Sequence, residues 1–390
     1  MPLQIMSARK DNPLPTDDSL LDPLRARSFG DALCAWFEEA ARDLPWRRQR
    51  DGYRALVSEA MLQQTQVDRV KEPFERFLER FPDVLALAEG SEEEVLALWQ
   101  GLGYYRRARL LHAAAQVIRD EHQGVVPQDA STLRTLPGVG RYTAGAIASI
   151  IFGERAPIVD GNVARVFARF ATRPGRPGER DFDAWCWRTA SSVAEHVGDP
   201  AVVNEAIMEL GATVCRKHDP DCPNCPLRDS CLGRASGEPT RYPEVRVRAK
   251  RTILHHHALL CLRAPESPGS SEILLVQRPE KGLWARMWQP TSLESKKELA
   301  PDAVLSRFSL QNEPIDLQRF EHRTTHRDII FHVHRPSFDV VDEHFVRSLL
   351  ETLGSPPFRW HPVDRLDELG LSNPHRRMIE AASEQGLFDA

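Results

Sequence analysis

From Phe29 to about Gly211 the apolar residues recur at helical spacing, and no two-residue alternation competes with it. The pattern predicts helices near 30–43, 53–71, 73–80, 92–98, 104–122, 142–152, 161–170, 181–196 and 200–213. Turn-forming stretches separate them at Gly101–Gly103, Pro137–Gly140 and Arg173–Gly178. This part therefore reads as an all-α domain over 29–231, closed by a cysteine-bearing loop. Residues 1–28 are rich in Pro and Asp and are expected to form a disordered tail. Residues 232–251 are polar and basic and read as a linker. Beyond it the period changes. Ile253–Leu262, Glu272–Gln277, Ile315–Phe320 and Asp328–His334 have the pattern of short strands, with helical stretches at 301–309, 342–353 and 374–384. The second domain, 252–390, is thus expected to be α+β.

Composition narrows the class. A chain of 390 residues predicts two or three domains, each able to bury a core. The most apolar run, Thr143 to Phe152, is too short to span a bilayer, which needs about 20 residues. The N-terminal stretch has no apolar leader segment, so a cytoplasmic protein is expected. A net charge of −5 argues at first sight against nucleic acid. However, residues 131–180 hold eight arginines against three acidic residues, and a phosphate-binding face responds to local charge. Arg246, Arg248, Lys250 and Arg251 add to this in the linker.

Seven cysteines are too few for a disulfide scaffold, and four of them, Cys215, Cys222, Cys225 and Cys231, fall close together. Four thiolates on a Pro-containing loop can surround an iron–sulfur cubane or a tetrahedral zinc. Zinc sites more often use two Cys-x2-Cys pairs; the single pair here favours a [4Fe-4S] cluster. Cys34, Cys186 and Cys261 lie in apolar contexts and read as inert core thiols. A second motif, Leu136-Pro-Gly-Val-Gly-Arg-Tyr-Thr-Ala144, sets two glycines around one apolar residue before an apolar helix. Such a hairpin turns backbone N–H groups outward beside a positive helix end, which suits a phosphate. Asp160, in Val159-Asp-Gly-Asn-Val163, occupies a helix N-cap position. Glu59 shares a helical face with Leu56 and Gln63 and is expected to be partly buried.

Together these motifs carry a resemblance. The cysteine spacing is similar to the cluster loop of the endonuclease III superfamily of DNA glycosylases, and the Gly138–Gly140 turn resembles its helix–hairpin–helix. Ser58-Glu-Ala-Met-Leu-Gln-Gln-Thr-Gln66, Trp99-x-Gly-Leu-Gly-Tyr-Tyr105, Ala108-Arg109 and Pro45-Trp46 resemble the MutY-type adenine DNA glycosylases within it. The resemblance covers roughly 30–231 and recurs in the second domain. It implies that Glu59 protonates adenine N7, that Asp160 stabilises or transiently bonds the sugar C1′, and that Tyr142 and Asn162 hydrogen-bond near Asp160. A Lys at position 142 would make a Schiff base and cleave the strand; Tyr142 implies a monofunctional enzyme. By the same resemblance Gln63 or Gln64 and Tyr104 occupy the opened duplex, and Gly138, Gly140 and Arg141 grip its backbone. The implied partner is duplex DNA carrying an 8-oxoguanine:A or G:A mispair, bound by a monomer without a membrane at the bacterial nucleoid.

Ile273-Leu-Leu-Val-Gln-Arg-Pro-x3-Gly-Leu-Trp284 resembles the opening strands of a Nudix fold. The segment 291–309 lacks the Glu-rich box that holds magnesium in a Nudix hydrolase, so pyrophosphate hydrolysis is not expected. In MutY-type proteins this domain recognises 8-oxoguanine through a Phe-Ser-His loop. The matching residues are Thr324, Thr325 and His326, so the hydroxyl and imidazole are kept and the Phe is not. Ala164 departs from the Lys of many relatives, which implies one phosphate contact fewer. The tract His255-His256-His257 lies in a strand whose alternation points neighbours apart, which argues against metal binding there. The competing functions are an endonuclease III-like glycosylase/lyase, a non-catalytic iron–sulfur DNA-binding scaffold and a Nudix hydrolase.

Overall fold

A computed structural model describes residues 18, 20, 22–245, 251–264, 270–337 and 341–384. Most of the expected N-terminal tail, and the linker residues Arg246, Arg248 and Lys250, lie outside the described residues. The chain forms two compact units, each built from two stretches: Met1–Leu56 with Val126–Val247, and Val57–Val125 with Arg248–Ala390.

The first unit is helical. Its first helix, Pro23–Ala40, starts earlier than the apolar spacing indicates, because a cap and not a hydrophobic residue sets the start. Asp22 accepts from Leu24 N–H at 3.0 Å and Arg25 N–H at 3.1 Å, and Pro23 supplies the first turn. Phe29, Leu33 and Phe37 of this helix enter a core with Phe167 and Phe170 of the helix Gly161–Phe170, Trp185 of Arg180–His196 and Leu210 of Pro200–Thr213. Phe29 meets Phe170 edge to face at 5.1 Å, a favourable aromatic geometry. The helix Arg141–Phe152 packs on Pro200–Thr213.

Inside this unit Glu205 and Glu209 are 5% and 1% exposed and are met by three arginines. Arg47 reaches Glu205 and Glu209, both at 3.1 Å; Arg50 reaches Glu205 at 2.6 Å, and Arg42 pairs with Glu209. Buried carboxylates persist only when so paired.

In the second unit the helical stretch expected over 53–71 and 73–80 is divided differently. Gly52–Leu62 ends in a turn and Val67–Arg80 follows, with Pro73 inside it. Val70, Phe74 and Phe77 are buried along one face of that helix, and their packing sustains it through the missing proline donor. Val84–Glu89, Glu92–Leu98 and Arg106–Glu121 complete the helical part.

This part packs on a seven-stranded sheet: β1 (Thr252–Leu259), β2 (Leu262–Arg263), β3 (Glu272–Gln277), β4 (Trp288–Ser295), β5 (Ile315–Arg323), β6 (Arg327–Arg335) and β7 (Phe358–Pro362). The order is β2-β3-β4-β1-β6-β5, with β7 also paired to β3; β1 and β6 run parallel. Ala258, Leu260, Ile273, Leu275 and Phe331 face the helix Asn373–Glu384, whose Met378 and Ile379 are buried with them. Leu259, Cys261, Leu274 and Val276 face Pro301–Arg307 and Glu343–Thr352. Tyr105 donates to Leu371 O at 3.2 Å, and Trp288 Nε1 donates to Glu93 at 2.9 Å, tying helices to sheet. The expected architecture, an all-α part followed by an α+β Nudix-like part, is present. No helix among the described residues is long and apolar enough to cross a membrane.

Replacing Glu209 with Ala is expected to lower the unfolding free energy at pH 7 by about 3 kcal/mol, since it strands paired guanidinium groups. Burial pushes the Glu209 carboxyl up, but Arg42 and Arg47 more than offset this and hold it below the ordinary glutamate value. Its contribution is therefore complete above about pH 4.3 and fades as the pH falls further. Urea titrations of both proteins across that range should show the stability gap closing on acidification.

Candidate active site and DNA interface

The first unit brings the hairpin, Asp160 and the cysteine loop together. Ala130–Leu133 leads into the hairpin, where Val139 N–H closes the turn on Leu136 O at 3.2 Å. Gly138 has φ +79°, a conformation few side chains adopt. Gly140 is the N-cap of Arg141–Phe152, no side chain caps that end, and a Cβ there would meet nothing within 4 Å. Gly140 therefore leaves this side of the turn open and is not required by internal packing. Arg141 is exposed, with its guanidinium 3.7 Å from the centre of the Trp187 ring. That stacking fixes its direction.

Asp160 is the N-cap of Gly161–Phe170. Its Oδ1 accepts from Val163 N–H at 2.7 Å, and its Oδ2 accepts from Asn162 Nδ2 at 3.1 Å. Burial raises the Asp160 pKa, while the two N–H donors and Arg165 oppose the rise without cancelling it. Gly211 makes room for Asn162, because a Cβ there would lie 2.6 Å from the Asn162 Cβ. The Tyr142 hydroxyl donates to Met208 Sδ at 3.1 Å. Ala164, 5% exposed, lies in the core. The helix turns this position inward, away from any outward phosphate contact.

Sequence reasoning treated the arginines of 131–180 as a phosphate-facing strip. The structure engages three of them with backbone carbonyls instead. Arg155 donates to the carbonyls of Ala194 and Val197 at 3.0 and 2.8 Å. Arg169, 2% exposed, donates to Tyr242 O and Arg216 O at 3.0 and 2.6 Å. Arg165 donates to Cys215 O at 2.9 Å and to Asn162 Oδ1 at 2.7 Å. Arg165 and Arg169 were missed as site residues; the only signal was their helical spacing after Asp160.

Cys215, Cys222, Cys225 and Cys231 are free thiols lining one cavity with Arg169, Arg228 and Arg234. Arg169 Nη1 lies 3.5 Å from Cys215 Sγ. Burial pushes the Cys225 thiol up to about 12, and the neighbouring thiols push the same way. A bound cation relieves that mutual repulsion, so the four sulfurs fit a metal centre. The other three cysteines are partly or fully buried, and burial raises Cys186 and Cys261 to about 12.

The second unit holds the remaining candidates. Glu59 is half-buried on Gly52–Leu62. Gln63 is half-buried and Gln64 exposed; Gln64 has φ +60° and Tyr104 has φ +47°. Non-glycine residues in this region carry strain and mark functional positions more often than chance. Arg107, also missed from the sequence, stabilises both. It donates to Ala60 O and Met61 O at 2.8 Å, to Thr65 Oγ1 at 3.1 Å and to Gly103 O at 3.1 Å. Burial pushes its guanidinium down to about 10.

Tyr104 is 48% exposed, and its hydroxyl lies 2.8 Å from Thr325 Oγ1. Thr325 and His326 are exposed in the loop between β5 and β6. Thr324 closes this loop: its N–H donates to Arg327 O at 2.8 Å and its Oγ1 accepts from Arg327 N–H at 3.0 Å.

Comparison with known proteins completes the picture. Residues 57–191 match the HhH-GPD superfamily base excision DNA repair proteins, and residues 267–381 match the NUDIX domain. The chain is 36% identical over 354 residues to the adenine DNA glycosylase of Homo sapiens, covering 77% of this chain and 64% of that protein. The Buchnera aphidicola protein of the same name is 26% identical over 355 residues, covering 90% of this chain and 97% of the relative. The chain thus spans only about two thirds of the length of the mammalian relatives it matches, 64% for the human protein. The adenine DNA glycosylase of Mycolicibacterium smegmatis is 43% identical over 210 residues, covering 53% of this chain and 70% of that protein. At that identity and coverage, the chain belongs to the adenine DNA glycosylase family.

Proposed function

We propose that this protein is a monofunctional DNA glycosylase that hydrolyses the N-glycosidic bond of adenine mispaired with 8-oxoguanine or G. In this reading residues 29–231 form the glycosylase domain and 252–390 the 8-oxoguanine-recognition domain, joined by 232–251. The protein works as a monomer on duplex DNA at the nucleoid. The observation that carries the reading is the Asp160 carboxylate, half-buried and fixed through both oxygens, in the same unit as an open glycine hairpin.

Breaking the bond leaves a cation-like sugar. Asp160 opposes that charge from a partly desolvated position, where an anion acts more strongly than in water. Val163 N–H and Asn162 hold the carboxylate, so no side-chain reorganisation is needed as charge develops. Glu59 protonates the departing adenine at N7. Tyr142 offers no amine, so no Schiff base forms and the product is an abasic site. Gly138, Gly140 and Arg141 hold the phosphate backbone. Gln63 and Gln64 fill the space the adenine leaves, while Tyr104 and Thr325, already hydrogen-bonded, meet the opposing base with His326.

Cys215, Cys222, Cys225 and Cys231 hold a [4Fe-4S] cluster in this reading. Bound there, the cluster supplies a structural cross-link, since all four ligands are protein thiolates and no coordination position is left for substrate.

A duplex with one 8-oxoguanine:A pair should be cut only after alkali treatment; cutting without alkali would favour a glycosylase/lyase. Glu59→Gln should slow single-turnover excision at least about 100-fold, and a fully active variant would remove the acid assignment. Because its pKa is raised, Asp160 protonates sooner on acidification, so the single-turnover rate should begin to fall at a pH above the ordinary aspartate value of about 3.9. The purified protein should be coloured, with Cys222→Ser losing the visible absorbance; a colourless parent would exclude the cluster.

A further inference from the structure

The tract His255-His256-His257 acquires partners that one strand's pattern cannot reveal. β1 pairs with β6 in parallel, with His257 opposite His332 and Leu259 opposite His334. Alternation then places His255, His257, His332 and His334 on one face of the sheet and His256 on the other. The four are 9%, 2%, 7% and 7% exposed.

They form two lines that end differently. In the first, Leu299 N–H donates to His257 Nε2 at 3.4 Å, His257 Nδ1 lies 3.3 Å from His334 Nε2, and His334 Nδ1 lies 2.6 Å from Asp316 Oδ1. One choice of tautomers satisfies every nitrogen of that line, which needs nothing further. In the second, His255 Nδ1 lies 3.1 Å from His332 Nε2, but His332 Nδ1 stops 3.9 Å from Glu298 Oε1, too far for a hydrogen bond. One ligand atom from each of His255, His332 and Glu298 nevertheless lies within 4.8 Å of the other two. Two metal–ligand bonds of about 2.0–2.1 Å span up to roughly 4.2 Å. The shift needed is small; the Glu298 side chain is 51% exposed, and although its Oε2 accepts from Arg319 Nη2 at 3.4 Å, that exposed pair leaves Oε1 for the ion.

We infer that His255, His332 and Glu298 form a binding site for one divalent transition-metal ion of the zinc class, completed by water. Two imidazoles and one carboxylate suit Zn2+ and exclude Ca2+ and Mg2+, which take oxygen ligands. The stacked ring of His257, 4.3 Å from that of His332 and parallel to within 6°, holds the inner ligand in place. The ion would join the segment that follows β4 to the β1–β6 pair, so it acts as a brace within the sheet. It is separate from the cysteine loop in both ligand chemistry and position along the chain.

The test titrates Zn2+, and in parallel Co2+, into the full chain while the visible absorbance of the cysteine loop's cofactor is monitored as a constant. One saturable equivalent is expected, with a rise in Tm and with cobalt bands that lack thiolate-to-cobalt charge transfer. His255→Gln with His332→Gln should abolish that equivalent, and Glu298→Gln should weaken it about tenfold. Because Glu298 is half-exposed, its variant keeps the fold, so the result remains decisive even if the histidine variant unfolds. Absence of saturable binding, affinity unchanged in Glu298→Gln, or cobalt seen only through thiolate bands would each overturn the site.

Discussion

The Asp160 carboxylate and the cysteine loop are held by one guanidinium. Arg165 donates through Nε to Cys215 O, through Nη1 to Gly161 O, and through Nη2 to both Asn162 Oδ1 and Gly211 O, at 2.7–3.1 Å. Asn162 in turn donates to Asp160. Only a planar group with five donors fits this set; a lysine would reach one acceptor at a time. Arg169, one turn later, does the same for the backbone of 215–217. The cysteine loop is thereby coupled to the orientation of the Asp160 carboxylate. Loosening the loop frees Arg165, and Asn162 loses its anchor.

The same arginines change how the charge of the chain is understood. Eight arginines against three acidic residues over 131–180 gave a local surplus that seemed to face phosphate. Arg155, Arg165 and Arg169 instead satisfy backbone carbonyls, and Arg176 pairs with Glu244 at 3.1 Å. Arg134, Arg141, Arg155, Arg176 and Arg180 are all exposed, but Arg155 and Arg176 are already engaged by these partners. The phosphate grip proposed above therefore depends on few side chains together with the N–H groups of the hairpin. Backbone donors do not depend on the overall −5 charge, so that charge does not argue against the polyanionic partner proposed above.

Much of this was legible in the sequence because the signals were local. The hairpin, the cap at Asp160 and the cysteine spacing each depend on a handful of adjacent residues, and helical period located most helices. What escaped was set by distant partners. β4 was missed because Pro290 and its polar residues break the alternation, although Trp288 and Thr291 are buried. β7 is only five residues long and is defined by pairing with β3. Nor does chain order reveal that Val57–Val125 packs with the C-terminal sheet. The arginines that organise the site looked like surface charge, since nothing in a single sequence states which carbonyls a guanidinium will find. The histidines show the same limit: alternation placed each on its face correctly, but their neighbours come from another strand.

Strain in the second unit supplies the final link. Gln64 and Tyr104 hold positive φ angles, which cost on the order of 1–3 kcal/mol each and persist only if their surroundings dictate them. Arg107 does so, because its hydrogen bonds run to both the 60–65 turn and the 102–103 backbone, and its guanidinium lies 5.4 Å from the Tyr104 ring centre. Tyr104 continues the connection to Thr325. The residues proposed to enter the duplex and those proposed to meet the opposing base thus share one support. Tyr104 and the turn at Gln64 are thus linked through one guanidinium, so a contact made at Tyr104 acts on the support of both. Closing the β5–β6 hairpin with Thr324 rather than a large aromatic is compatible with this, since the loop's fixed point is its backbone and its outward contact is the Thr325 hydroxyl.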